Sequence, residues 1–416
     1  MSNPLSSILL AKRSCSIPLL FSSSSASESS NSDTGQDSPV SLSGRFDIQD
    51  MCNNNQFPCN KENNKTFSGS TTYKLLDVLS GHVGGVSCLA LCGEFVLSAS
   101  QGKDIIVWQQ PDLRQFTKFG SGDGSVKALV TVGNKVFTAH QDSRIRVWKV
   151  SKRSENVFRL VDTLPTTKDY LGKFMKQSNY VQIRRHHKKL WIEHADSISC
   201  LAVENGLIYS GSWDKTLKVW RLSDLRCLDS VKAHDDAING LVAKNGKVYS
   251  ASADGKIKVW EKDGKKSSST SSTLKLKGVL EGHKDVSINA ISYYDGKGNK
   301  NDRVYGGASD GYLMGWEMVE NDVKMVVEVK AHEMAVLCLS VMGDIVCSGS
   351  ADKSICIWKR DVIKGNVLNK VGVIRGHDGP VKCLQISPNC VGDGYLLYTG
   401  SLDKTLRVWW VPKELH

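Results

Sequence analysis

The chain has 416 residues, 40% of them hydrophobic, with 10 Trp, 12 Cys and a formal net charge of +11. No stretch approaches the roughly 18 consecutive apolar residues that a membrane-spanning helix requires, so the composition predicts a soluble chain without a membrane span. The charge is local: Lys149 to Glu193 holds 11 Lys/Arg against 4 Asp/Glu, a net +7, which removes the case for a uniformly basic nucleic-acid surface.

Residues 1–68 are rich in Ser, Asn and other small polar residues with little apolar periodicity. They cannot bury enough surface to offset the entropy of ordering, and a disordered tail is predicted. The first 27 residues carry Lys12 and Arg13 and no acidic residue among many serines, a weak organelle-transit signature that an ordinary Ser-rich tail explains better. The cysteines form no CxxC pair, and in so long a chain they point to reduced thiols in cytosol or nucleus rather than to a disulfide framework or a zinc site. Cys88, Cys200, Cys338 and Cys383 recur within VSCL, ISCL, VLCL and VKCL, where a small buried hydrophobe suits a strand.

From Tyr73 onward the chain repeats itself. Runs ending in Trp return as IIVW, IRVW, LKVW, IKVW, LMGW, ICIW and LRVW, closing at Trp108, Trp148, Trp220, Trp260, Trp316, Trp358 and Trp409. The unit is about 40 residues with insertions, the period of a four-stranded propeller blade. Within each unit, short apolar runs are separated by turn residues; Asn205-Gly206 and Asn245-Gly246 are the strongest hairpin signals, because both turn residues must take positive φ.

Four positions recur in register. An Asp stands six residues before the Trp in six units: Asp142, Asp214, Asp254, Asp310, Asp352 and Asp403. A Ser or Thr stands ten before it: Ser98, Thr138, Ser210, Ser250, Ser348 and Thr399. A His opens six units: His82, His194, His234, His283, His332 and His377. These slots resemble the His, Ser/Thr, Asp and Trp network of the WD-repeat family, whose side chains hydrogen-bond across the blade. A hydrolase triad occurs once rather than six times in register, so a structural network and no catalytic residue is expected. Gly102, Gly122 and Gly306 stand in the Asp, His and Ser/Thr slots of the first, second and fifth units, where weaker networks are expected.

The resemblance implies an all-β fold: a seven-bladed WD-repeat β-propeller over residues 69–416. Its last blade lacks an outer strand, since little chain follows Trp409, while YKLLDVL at 73–79 precedes the first His with no strands of its own to join. Closure of the ring by this N-terminal strand is predicted, which removes open edges.

In such propellers the residues just before the turn Asp face one side of the ring. They are Gln101, Gln141, Trp213, Ala253, Ser309, Ala351 and Leu402, with Trp213 the natural binding anchor. Asp196, Asp235, Asp236, Asp285, Glu333 and Asp378 predict an acidic rim on the same face. An insertion at about 165–192 follows the outer strand FRLVDTL and is expected on that face, with Thr166 or Thr167 capping a short helix through Met175; if KKLWIEH is the outer strand instead, it leaves from the opposite face. Its basic run includes Arg184, Arg185, Lys188 and Lys189, which dock on the acidic rim or bind a partner in preference to nucleic acid, because aromatic interleaving is sparse.

FRLVDTLPT, NYVQIRRH and LWIEHAD inside seven repeats resemble the plant Jingubang-like WD-repeat proteins. This resemblance implies a regulatory, non-catalytic adaptor for other proteins, in cytosol or nucleus, without cofactor or metal and as a monomeric propeller. The alternatives are an anionic-ligand or nucleic-acid binder acting through the basic insertion, and a substrate-receptor subunit of a ubiquitin ligase. For the latter, Trp260 and Trp316 are each followed by Glu but lack the Arg two places further on that such receptors often carry.

Overall fold

A computed structural model of the chain describes residues 73–120, 124–151, 157–184, 187–262, 274–296, 301–319, 322–361 and 367–413. The Ser-rich tail expected over 1–68 lies outside them. Among the described residues, seven four-stranded antiparallel sheets form, with one separate two-stranded sheet. Each larger sheet is a blade, and in six of them the strands run in chain order from the ring centre outwards, as in blade 3: Ile198–Glu204, Leu207–Ser212, Thr216–Arg221 and Cys227–Lys232. Innermost strands pack against one another around the ring, and the circle ends with Val381–Val391 against Val86–Cys92.

Blade 7 is made from both ends of the chain. Lys74–Leu79 pairs with Leu406–Pro412 as its outermost strand. Elsewhere the outer strand bulges beside the repeat Trp, so that Trp148 faces Leu160 while Val147 faces Asp162. The N-terminal strand reproduces that bulge: Leu75 faces Trp409 and Asp77 faces Val408. It is a complete substitute for a local fourth strand, not a loose edge cover.

The core lies between blades rather than within them. One apolar cluster joins Phe137 and Val147 of blade 2 to Ile208 and Trp220 of blade 3, and another joins Leu89 and Trp108 of blade 1 to Tyr398 and Val408 of blade 7. Close approach explains the Gly or Ala flanked by hydroxyls in the second strands. A Cβ added at Gly211 would lie 2.7 Å from both Cys200 and Ile238 of blade 4; one at Gly400 would lie 2.6 Å from both Cys383 and Val86 of blade 1. The recurrent cysteines therefore fill the space beside these glycines, and burial pushes the Cys88, Cys200 and Cys338 thiols up to about 12. They are packing residues held far from the reactive thiolate form.

Candidate functional site

The residues that recur most often build the scaffold. In blades 3, 4, 6 and 7 the chain of contacts is complete. Trp220 donates its indole N–H to Ser210 Oγ at 2.9 Å, that oxygen lies 2.8 Å from His194 Nε2, and His194 Nδ1 lies 3.1 Å from Asp214. Because the carboxylate carries no proton, Nδ1 must donate, so Nε2 accepts the serine proton. Trp260, Ser250, His234 and Asp254 repeat the arrangement, as do Trp358, Ser348, His332 and Asp352, and then Trp409, Thr399, His377 and Asp403. Each Asp also accepts the backbone N–H two residues on, as with Thr216 at 2.9 Å, which tightens the turn. Burial pushes the Asp214 carboxyl up, but the hydrogen bonds from His194, Thr216 and the Ala195 N–H outweigh it and hold the group well below the usual range.

The other three blades depart from this pattern, each for a definite reason. In blade 1, with Gly102 in the Asp slot, the set ends at His82, 2.7 Å from Ser98, which accepts from Trp108. In blade 2, where Gly122 lies outside the described residues, His140 takes the place of the missing His but no Asp joins it, so the set ends there as in blade 1. This residue sits on the second strand two places after Thr138, and its Nε2 lies 2.7 Å from that hydroxyl, which accepts from Trp148 at 3.0 Å. Asp142, placed in the network by spacing alone, instead pairs with Arg146 at 2.5 Å. In blade 5, with Gly306 in the Ser slot and its position tight against Trp316, His283 turns outwards. Its Nδ1 meets Asp310 at 2.6 Å and its Nε2 meets Glu328 at 3.2 Å. The hydrogen bond of Asp310 raises its pKa, whereas burial lowers that of His82 and His140 to about 4. His140 and Glu328 were missed because they stand outside the repeat spacing.

The turn face is defined by one repeated backbone bond. The N–H of Gln101, Gln141, Trp213, Ala253, Ser309, Ala351 and Leu402 donates to the loop before the innermost strand of the same blade, at 2.8 to 3.1 Å. All seven therefore lie on one side of the ring. Gln101, Gln141, Ser309, Trp213 and Leu402 are exposed, the last two at 43% and 39%. Val83 and Met334, from the loops before the innermost strands, add exposed apolar side chains to that face. Lys127 Nζ lies 5.6 Å from the Trp213 ring centre, a cation–π contact that orients the indole. The six rim acids are exposed, but the acidic rim needs correction. Lys215, Lys353 and Lys404 follow the turn Asp in the same loops at positive φ, and Lys215 pairs with Asp236 at 3.9 Å, so the face is mixed in charge.

The insertion follows Phe158–Leu164, which is the outer strand of blade 2. Thr166 Oγ1 accepts the Asp169 N–H at 3.2 Å and caps the helix Thr167–Lys173, which ends two residues short of the expected Met175. A hairpin of Tyr180–Arg184 with His187–Leu190 follows, with Arg184 paired to His187. Arg185 lies outside the described residues. Since Leu164 faces Ile145 just after the Asp142 turn, the insertion leaves from the turn face as expected, and its base is wedged between blades 2 and 3. Leu190 and Ile192 are buried in the cluster those blades share. Asp169 Oδ2 accepts the Cys227 N–H of blade 3 at 3.1 Å, and Lys218 Nζ donates to the Trp191 carbonyl at 2.5 Å. Lys189 donates to the His194 carbonyl at 3.3 Å, while Lys188 is exposed. Lys188 and Lys189 thus differ in role, which a basic run does not reveal.

A family model for the WD domain, G-beta repeat, matches residues 73–109, 186–221, 225–261, 323–359 and 368–409. The chain is a WD-repeat propeller. The blades outside these matches are 2 and 5, where the repeat departs from the pattern at Gly122 and Gly306. This WD-repeat chain is 22% identical over 237 residues to an uncharacterized WD repeat-containing protein of Schizosaccharomyces pombe, covering 55% of this chain and 48% of that protein. It is 25% identical over 205 residues to WD repeat-containing protein 18 of Bos taurus, covering 39% of this chain and 46% of the relative. The chain spans about half the length of these relatives. Its fold resembles that of the computationally designed Ika8 protein, with a TM-score of 0.55 and 24% identity, covering 80% of this chain and 98% of that one.

Proposed function

We propose that this WD-repeat propeller is a non-catalytic regulatory adaptor that captures other proteins on its turn face, in the cytosol or nucleus of a plant cell. The observation that carries the reading is the placement of exposed Trp213 and Leu402 on loops held by the same backbone bond, with Val83 and Met334 exposed on that side. A stiff ring that offers separated apolar anchors among mixed charges suits protein recognition, where a few buried side chains carry most of the binding energy. The recurrent hydroxyls argue against their use as nucleophiles: Ser98, Ser210, Ser250, Ser348, Thr138 and Thr399 are fully buried and already bonded to Trp. The Jingubang-like motifs support the regulatory role and the plant setting.

The test is affinity capture from plant extract with the wild type and a Trp213→Ala/Leu402→Ala double variant. Partners retained by the first and lost by the second support the reading. An identical set from both, with folding intact, refutes it.

A further inference from the structure

The insertion between blades 2 and 3 is anchored on its inner side and uncovered on its outer side. Asp169 and Trp191 hold it to blade 3, and Tyr170 donates to Glu193 at 2.7 Å. Outside, Leu171 and Met175 are 70% and 80% exposed, and Phe174, Val181 and Ile183 are exposed as well. Asn179 and Tyr180, at the base of the hairpin, donate to the carbonyls of Lys173 and Phe174, so helix end and hairpin form one body. Val181, Gln182 and Ile183 are consecutive and all exposed, so both faces of the hairpin reach solvent there, as on a finger.

The same body is strongly basic. Residues 167–190 contain seven Lys or Arg and one acidic residue, Asp169, which is buried and paired with Lys173 at 3.5 Å. Lys168, Lys176 and Lys188 are exposed around the apolar side chains.

We propose that this finger binds the surface of an anionic lipid bilayer, with Leu171, Phe174, Met175, Val181 and Ile183 in the interfacial layer and Lys168, Lys176 and Lys188 at the headgroups. Apolar side chains set among exposed lysines are the composition that lies in a charged membrane interface. The apolar side chains are exposed on a helix end and hairpin tied into one body, and a bilayer takes them without shape complementarity. A nucleic-acid surface would use aromatic platforms, and Phe174 is the one aromatic among the five. Charge complementarity selects anionic over neutral lipid. The proposal is independent of the turn face.

The test is vesicle co-sedimentation of the full chain with phosphatidylcholine vesicles and with vesicles containing phosphatidylserine. Binding is expected to the second and not to the first, and to weaken on raising the salt from about 0.1 to 0.5 M, as the screening length shrinks. Lys188→Glu should reduce binding about fivefold or more, the worth of one basic residue at such a surface. Leu171→Asp/Met175→Asp should reduce it on the order of tenfold, and because both positions are exposed the melting curve should not move. Trp213→Ala should leave vesicle binding unchanged, which separates this proposal from the adaptor reading. No sedimentation with anionic vesicles, equal sedimentation with neutral ones, or full binding by the Leu171→Asp/Met175→Asp variant would overturn it. So would binding of polyuridylate or polyglutamate in the absence of vesicle binding, which would make the finger a nucleic-acid or acidic-protein contact.

Discussion

Removal of the Asp214 carboxylate tests whether the repeated network holds the blades together. The side chain is 7% exposed and collects donors on both oxygens. Oδ2 accepts from His194 Nδ1 at 3.1 Å and from Ala195 N–H at 2.6 Å; Oδ1 accepts from Thr216 N–H at 2.9 Å and from its hydroxyl at 2.6 Å. In Asp214→Ala, water can reach the two backbone groups at the half-buried turn, and His194 Nδ1 keeps the Thr216 oxygen at 3.0 Å. The loss is then about 2–3 kcal/mol, near the worth of one or two hydrogen bonds to a charged acceptor. Asp214→Asn should cost nearly as much, because both oxygens face donors and an amide must turn its NH₂ towards one pair of them. Equilibrium urea unfolding, followed by Trp fluorescence, should show both midpoints lowered by about 1 M at a slope of 2–3 kcal/mol/M. An asparagine variant as stable as the wild type, or an alanine variant within about 0.5 kcal/mol of it, would refute the reasoning.

Deletion through Leu79 should abolish a cooperative unfolding transition, since it strips the outer strand from Leu406–Pro412, whereas deletion of residues 1–68 should preserve the transition; calorimetry reads both. Trp213→Ala should change stability by less than about 1 kcal/mol in urea unfolding, because its ring is held by Lys127 and not by the core. Asp169→Ala should speed tryptic cleavage within 173–189 while leaving the global transition nearly in place, because it frees the insertion from Cys227. NMR titration should place the histidines on opposite sides of the ordinary value of about 6.5. Burial lowers His82 and His140 to about 4, so their contribution is complete above the unfolded value of about 6.5 and is lost as pH falls towards 4. His283 is raised by Asp310, so its contribution is complete below about 6.5 and is lost as pH rises through its folded value; Glu328→Gln should lower that value.

What the sequence could determine by itself was whatever repeats. Seven Trp at a common period, with Ser, His and Asp at constant offsets, determine the number of blades, the strand order within them and the need for an N-terminal closing strand, because every copy must solve the same local bonding problem. Tertiary structure decided whatever happens once. Gly122 in a His slot cannot show that His140 reaches Thr138 from two places along the same strand, nor can Gly306 show that the released His283 finds Glu328 on the outer strand. The insertion leaves from the expected face, but where its base seats was equally hidden. Its basic run suggested the rim, but Leu190 and Ile192 find apolar cover between two blades, and burying them there outweighs exposed ion pairs worth little in water. Such contacts join residues whose spacing in the chain carries no period, and only the folded ring brings them together.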